Sequence, residues 1–296
     1  MILSCYPDWV INSISFLGEG DFFQAYLVNN EWVFRFAKHL EARESLKREY
    51  YLLPKIAPQI SLQIPQPQIV SFENNPSFSA YRILPDDALS SEIYLQLNET
   101  EQTACTAQVA FFLNQLHSIE TAFAQNCGVK VCDYQSQYSS LLVEAKEHLF
   151  PIIEKADCQF IEQVISEYLD SEHDFTPTLL HGDLSPNHVL FDKKTNSVSG
   201  IIDFGDMMIG DPAWDLLWIY EDYGLGFLAK LLPNFHEIDK HNLLERVFKF
   251  SMLQMIEWTT ACKIENDAEL EFALAELSKM REKKEQKFHE LMLILD

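Results

Sequence analysis

Residues 179–192 read LLHGDLSPNHVLFD, and residues 197–206 read SVSGIIDFGD. Apolar runs flank both segments: Leu179 and Leu180 ahead of H-G-D, Val189 to Phe191 behind it, and Val198 to Ile202 leading into D-F-G. Such short runs broken by polar residues read as small strands that hold loop side chains rigidly. They present two carboxylates, Asp183 and Asp203, twenty residues apart.

Phosphoryl transfer needs little covalent chemistry from a protein and much positioning. It asks for a carboxylate that orients the attacking hydroxyl and for ligands to the metal that neutralises the phosphates. Asp183, in H-G-D, suits the first task, and Asp203, opening D-F-G, suits the second. Two loop aspartates that merely cap turns are the plain alternative, and the paired motifs at this spacing weigh against it. In protein kinases an asparagine five positions beyond the catalytic aspartate is the second metal ligand. Here that place is His188, with Asn187 one residue early. Adjacent residues of an extended segment point to opposite sides, so Asn187 cannot substitute without moving the backbone. His188 therefore either supplies a neutral imidazole to magnesium or hydrogen-bonds within the loop. We take the first as the expectation, because phosphate oxygens, Asp203 and water can fill the rest of the octahedron.

The rest of the 296-residue chain limits the partners. Lys and Arg total 22 against 45 Asp and Glu, a formal charge of −23, which repels nucleic acid and anionic membrane surfaces. A cationic small molecule is the compatible partner, although an acidic surface also simply confers solubility. The six cysteines include no C-x-x-C pair and read as reduced thiols. The N-terminus lacks a basic leader and no apolar run reaches membrane-spanning length, so the expectation is a cytoplasmic monomer with no membrane partner.

Up to residue 85 the pattern is mostly extended. FFQAYLV and EWVFRFA meet at an Asn-Asn junction suited to a hairpin. EARESLKREYYLL carries Leu46, Tyr50 and Leu53 at helical spacing, with Pro54 as its expected end. SAYRILP reads as a last strand, and DDALSSE as a polar crossing into a helical remainder. The expected division is thus 1–85 and 86–296. Asn98 with Glu101, and Asn266 with Glu269, read as capping boxes of long helices. The basic residues at 279, 281, 283, 284 and 287 read as a solvated face.

Within the first segment, Gly18 and Gly20 precede a strand and are placed to fold over a triphosphate, though G-x-G also marks ordinary turns. Alternation in WVFRFAK puts Trp32, Phe34 and Phe36 on one face and Arg35 on the other. Arg35 is therefore the expected phosphate cation, with Lys38 as runner-up. Glu49 lies three residues after Leu46 and either pairs with Arg35 or sits on the surface. Glu221 and Asp222 follow an apolar run in WIYEDYG. On pattern alone they are two solvated carboxylates.

HGDLSPNHVLFD with GIIDFGDMMIGDPAWDL resembles the aminoglycoside phosphotransferases, and most closely the branch that acts on the 2″-hydroxyl, whose loop also carries histidine at this place. INSISFLGEGDFFQAYLVNNEWVFRFAKH is similar to that branch's first lobe. The resemblance implies an α+β, two-lobed protein kinase-like fold: a small antiparallel N-terminal lobe that binds ATP or GTP, and a mostly helical C-terminal lobe. It implies Asp183 as the catalytic carboxylate, and His188 and Asp203 on Mg2+. Arg35, steadied by Glu49, would contact the phosphates, and backbone near Arg82 and Leu84 would hold the purine. Glu221 and Asp222 would meet the ammonium groups of the acceptor, and Asp211, Asp215 and His117 would be structural. Macrolide phosphotransferases share the histidine but characteristically follow with IDW where this chain has IDF. Choline or homoserine kinase-like activity, and a non-catalytic pseudokinase, are the more distant alternatives.

Overall fold

Asn29 and Asn30, in the three-residue loop that Glu31 completes, both adopt left-handed backbone, φ 56° and 54°, which tight turns use and asparagine tolerates. They join β2 (Phe23–Val28) to β3 (Trp32–Ala37), with β1 (Ile14–Glu19) paired on the far side of β2. With β4 (Ile69–Ser71) and β5 (Phe78–Arg82) these strands form an antiparallel sheet of order β1-β2-β3-β5-β4. The period of two in WVFRFA sorts its residues as expected. Trp32 and Phe34 join Val28, Phe78 and Ala80 in one core, while Arg35 faces the other side. Trp9 and the helix α1 (Ile2–Cys5) cover that core, the Trp9 ring lying 5.5 Å from Phe34.

The opposite face carries α2 (Leu40–Ile56), whose Leu46 packs with Phe23, Ala37 and Ala42. Pro54 does not end this helix; it lies inside the last turn. A proline so near the C-terminus removes a single backbone bond, and the full burial of Leu52, Leu53 and Ile56 holds the turn together.

The computed structural model describes residues 2–171, 174–236 and 239–295. The chain divides into two compact units, one of Met1–Val131 with Pro177–Gly210, the other of Cys132–Thr176 with Asp211–Asp296. The compositional change at residue 85 is not a break in packing. Just beyond it β6 (Asp87–Ala88) pairs with a strand a hundred residues on, a contact local pattern does not reveal. The remaining helices of the first unit are α3 (Ser91–Gln96), α4 (Glu99–His117) and α5 (Thr121–Asn126). Both bonds of the Asn98–Glu101 capping box at α4 are present. The motif segments form β7 (Thr178–Leu180), β8 (Val189–Asp192), β9 (Ser197–Ile201) and β10 (Met208–Gly210). β10 pairs with β7, and β8 lies between β6 and β9.

The second unit is built on α6 (Tyr134–Glu144), α7 (Lys155–Asp170), α8 (Leu225–Leu231), α9 (Lys240–Glu265) and α10 (Leu270–Met292). Asn266 closes α9 in left-handed conformation, φ 55°, and does not open α10, whose N-terminal Glu269 makes no side-chain cap. The basic run on α10 is only partly solvated. Lys279 and Lys283 are exposed, but Arg281 Nε reaches Asp157 of α7 at 2.8 Å and Lys284 lies 3.8 Å from Glu167. In this unit Asp211 accepts Arg246 Nε at 2.8 and 3.1 Å, both groups buried, and caps the turn at Ala213. All six cysteines are free. Among the described residues no helix is long and apolar enough to cross a membrane.

Candidate active site

The H-G-D turn follows β7 and is fixed from beneath. His181 is fully buried; its Nε2 lies 3.0 Å from the Ile202 carbonyl, and its Nδ1 accepts the Asp183 N–H at 3.3 Å. Both bonds are satisfied when the ring carries its proton on Nε2. Gly182 adopts φ +90°, and a Cβ built there would stand 2.2 Å from the Asp206 carbonyl oxygen. Only glycine fits. Neither residue was among those the sequence singled out, although H-G immediately before Asp183 was the signal.

Beyond Asp183 the chain is not extended: Pro186–His188 form a 3-10 turn. That turn, not strand alternation, leaves Asn187 exposed and swings the His188 ring inward. His188 Nδ1 lies 2.7 Å from the Asp183 main-chain carbonyl, a geometry in which Nδ1–H donates and Nε2 keeps its lone pair. Nε2 then faces Asp203 Oδ2 at 3.7 Å, while Nδ1 is 3.5 Å from Asp183 Oδ2. Asp203 adopts φ +63°, uncommon for a residue with a side chain and a place where strain accompanies function. Asp183, His188 and Asp203 therefore converge.

Two carboxylates and an imidazole with a bare nitrogen form an oxygen-rich donor set that fits a divalent ion. Among the described residues no group of three His, Cys, Asp or Glu side chains forms a ready-made metal cage. An ion held here would complete its shell with phosphate oxygens and water.

Arg35 stands beside this cluster. Its Nη1 donates to Asp203 Oδ1 at 3.3 Å, and its Nη2 contacts Glu49 Oε2, so the pairing alternative for Glu49 is the one realised. Phe23 and Tyr81 rings lie 4.7 and 5.7 Å from the guanidinium carbon. Burial pushes the Glu49 carboxyl up to about 7 against the pull of Arg35. Burial also opposes the charge of Arg35, but Glu49 and Asp203 overcome it and hold the guanidinium protonated.

A cavity of about 310 Å³ opens from this polar end. Leu17, Ala25, Val33, Ile83 and Leu84 line it, with Leu190 and Ile202 on the β8–β9 side. Gly18 also lines it, and neither Gly18 nor Gly20 would bring a Cβ within 4 Å of any atom beyond its chain neighbours, so open space lies over both. Lys38 does not reach the carboxylates. Its Nζ binds Glu19 at 2.8 Å and the Gly20 carbonyl at 3.1 Å, tying down the β1–β2 loop. Leu84 lines the cavity and Arg82 does not: the Arg82 guanidinium pairs with Glu31 at 2.7 Å and covers the Trp32 ring. The Ile83 N–H between them is spent on the Glu31 carbonyl at 2.9 Å. In the second unit, Glu221 and Asp222 are exposed on a π-helical turn, Ile219–Tyr223, that ends at Gly224 with φ +79°. Single π turns of this kind recur at functional sites.

The family model described as phosphotransferase enzyme family matches residues 13–247. The chain is 28% identical over 99 residues to the viomycin phosphotransferase of Streptomyces vinaceus, a match covering 33% of this chain and 34% of that protein. It thus spans about a third of that curated relative's length. Its structure is similar to the GDP complex of wild-type aminoglycoside 2'-phosphotransferase-IIIa, with a TM-score of 0.87 and 27% identity over 96% of this chain and 97% of the other. It is also similar to the gentamicin complex of APH(2")-IIa, with a TM-score of 0.76 and 26% identity over 90% of this chain and 91% of the other.

Proposed function

The chain belongs to the phosphotransferase enzyme family, and from that premise we propose that it is a small-molecule kinase. It transfers the γ-phosphate of ATP or GTP to a hydroxyl of an aminoglycoside-like acceptor. The observation that carries this reading is the convergence of Asp183, His188 and Asp203 beside Arg35 at the mouth of a mostly apolar cavity, which Asp86 also lines. The GDP and gentamicin bound by the two structural relatives support the nucleotide donor and the aminated acceptor.

In this reading the mostly apolar cavity takes the base and excludes water from it, with backbone near Leu84 at its edge and Gly18 to Gly20, the end of β1 and the start of the turn after it, above the phosphates. Arg35, held by Glu49, sets a fixed positive charge toward the phosphates. His188 Nε2 and Asp203 would hold Mg2+, which when bound supplies charge neutralisation at the phosphate oxygens. Asp183 accepts a hydrogen bond from the acceptor hydroxyl and aims its lone pair at phosphorus. Glu221 and Asp222 would give counter-charges to acceptor ammonium groups, aided by the overall charge of −23. We take residues 1–85 as the nucleotide-binding segment, residues 86–296 as the catalytic and acceptor-binding segment, and the protein as a cytoplasmic monomer.

The test is phosphate transfer from labelled ATP and GTP to aminoglycosides, macrolides, choline and homoserine. One aminoglycoside should raise nucleotide turnover well above the water background. Asp183→Asn should lower transfer by about 10²–10⁴-fold, the usual weight of a positioned acid–base group, while nucleotide binding persists. Transfer that survives Asp183→Asn at the wild-type rate would remove the catalytic assignment.

A further inference from the structure

We propose that Ser45, on α2, is a positioning residue that holds Asp203 in its metal-facing conformation. Serine inside a helix usually turns its hydroxyl back to the carbonyl four residues earlier. The Ser45 hydroxyl instead donates to the Gly205 carbonyl at 2.8 Å, across 160 residues of sequence, and Ser45 is fully buried. Arg48 Nη2 reaches the same carbonyl at 3.4 Å. One helical turn along, Glu49 takes Arg35, which takes Asp203. Positions 45, 48 and 49 lie on one side of the helix, so α2 grips the D-F-G turn both at its first residue and at its last.

The grip matters because of what the turn must hold. Asp203 sits at φ +63°, which an aspartate leaves readily unless its surroundings over-determine it. Phe204 is fixed by burial against His181, with ring centroids 4.7 Å apart, and against Phe112. Gly205 has no side chain, so only its backbone can be held, and Ser45 holds its carbonyl. Removing the hydroxyl lets the Gly205 peptide rotate, and rotation there is transmitted directly to the backbone of Asp203. The consequence falls on metal affinity and leaves the apolar base cavity intact. This inference rests on the kinase reading above, because it assigns Asp203 to the metal.

The experiment compares wild type, Ser45→Ala and Arg48→Met. Alanine favours the helix, so Ser45→Ala should fold, and its thermal midpoint is recorded alongside. In the metal-free protein, hydrogen exchange at the amides of residues 204–207 should quicken about tenfold in Ser45→Ala, with the amides of α2 and of the β1–β5 sheet unchanged. Mn2+ binding to the protein's complex with GTP, or with ATP if that is the nucleotide it binds, read by electron paramagnetic resonance, should weaken about three- to tenfold, the weight of one hydrogen bond, while the KM for that nucleotide stays within twofold. Arg48→Met, which removes the longer contact, should shift both readouts in the same direction by less. Unchanged Mn2+ affinity in Ser45→Ala overturns the proposal. So does faster exchange spread evenly over the first unit, which would make Ser45 a packing residue. Wild type that binds Mn2+ with neither GTP nor ATP overturns the kinase reading itself, a result distinguishable from a wild type that binds and a variant that matches it.

Discussion

Gly182→Ala is the sharpest perturbation of the site that touches no reacting group. The added Cβ would sit 2.2 Å from the Asp206 carbonyl oxygen and 2.8 Å from its carbon, both backbone atoms. An ordinary carbon–oxygen contact is about 3.3 Å, so one backbone segment must retreat by about 1 Å. Left-handed backbone at φ +90° adds about 1–2 kcal/mol for a residue with a Cβ. Forcing the two segments apart adds about 1–3 kcal/mol, as overpacking does. The expected loss is therefore about 2–5 kcal/mol, concentrated where the Asp183 loop meets the D-F-G turn. Catalysis should suffer further, since a displacement of about 1 Å between positioned groups costs about 10²-fold in rate. Urea denaturation reads the first quantity, and kcat with the best acceptor the second. A Gly182→Ala protein with wild-type urea midpoint and wild-type kcat would show that the two segments are not in the contact described, and the geometric basis of the site would go with it.

Asp211→Ala should destabilise the second unit by about 3–5 kcal/mol, because it strips a buried guanidinium, Arg246, of its carboxylate. Asp211→Asn, which keeps the cap on Ala213, should cost less, and thermal unfolding with amide exchange in α9 measures both. Glu49 gives a pH signature: its folded pKa, about 7, lies above the ordinary 4.5, so the stability it contributes is full below about pH 4.5 and is lost as pH rises through 7. Relative to Glu49→Gln, the wild-type urea midpoint should fall between pH 5 and pH 8; parallel curves at both pH values would contradict this. Glu221→Gln with Asp222→Asn should raise the KM for the best aminoglycoside acceptor without raising that for nucleotide, and steady-state kinetics with each substrate varied would expose an equal change in both.

What the sequence made legible was whatever depends on local chemistry. The Asn29–Asn30 turn, the alternation that sets Arg35 apart from Trp32 and Phe34, and the capping box at Asn98 each follow from neighbours a few residues away. The spacing of Asp183 and Asp203 was legible because each lies in a loop just beyond a short apolar strand, β7 or β9. What was missed depends on distant partners. Nothing near Ser45 announces that its hydroxyl meets Gly205, and nothing in DDALSSE announces that Asp87–Ala88 will pair with β8. Two local signals were also misread for physical reasons. Pro54 lies late enough in α2 to be tolerated, and Asn266 serves as a left-handed C-cap as readily as it would an N-cap.

The substitution of histidine where protein kinases place asparagine follows from the shape of the loop. The 3-10 turn at Pro186–His188 brings the Asp183 carbonyl to 2.7 Å from the imidazole Nδ1. A ring anchored at one nitrogen presents the other in a fixed direction on the far side, and here that direction is toward Asp203. An asparagine has a shorter reach and a single amide group with which to meet the same carbonyl and an ion. In the proposed reaction Asp183 thus has two tasks in the same few ångströms: its carboxylate would meet the acceptor, and its carbonyl sets the proton and the orientation of the imidazole. His188 and Asp183 are therefore one structural unit, so under the proposed function a shift of the Asp183 backbone would disturb the acceptor contact and the metal ligand together. The buried His181, the obligatory Gly182 and the Ser45 tie are all placed where they resist that shift.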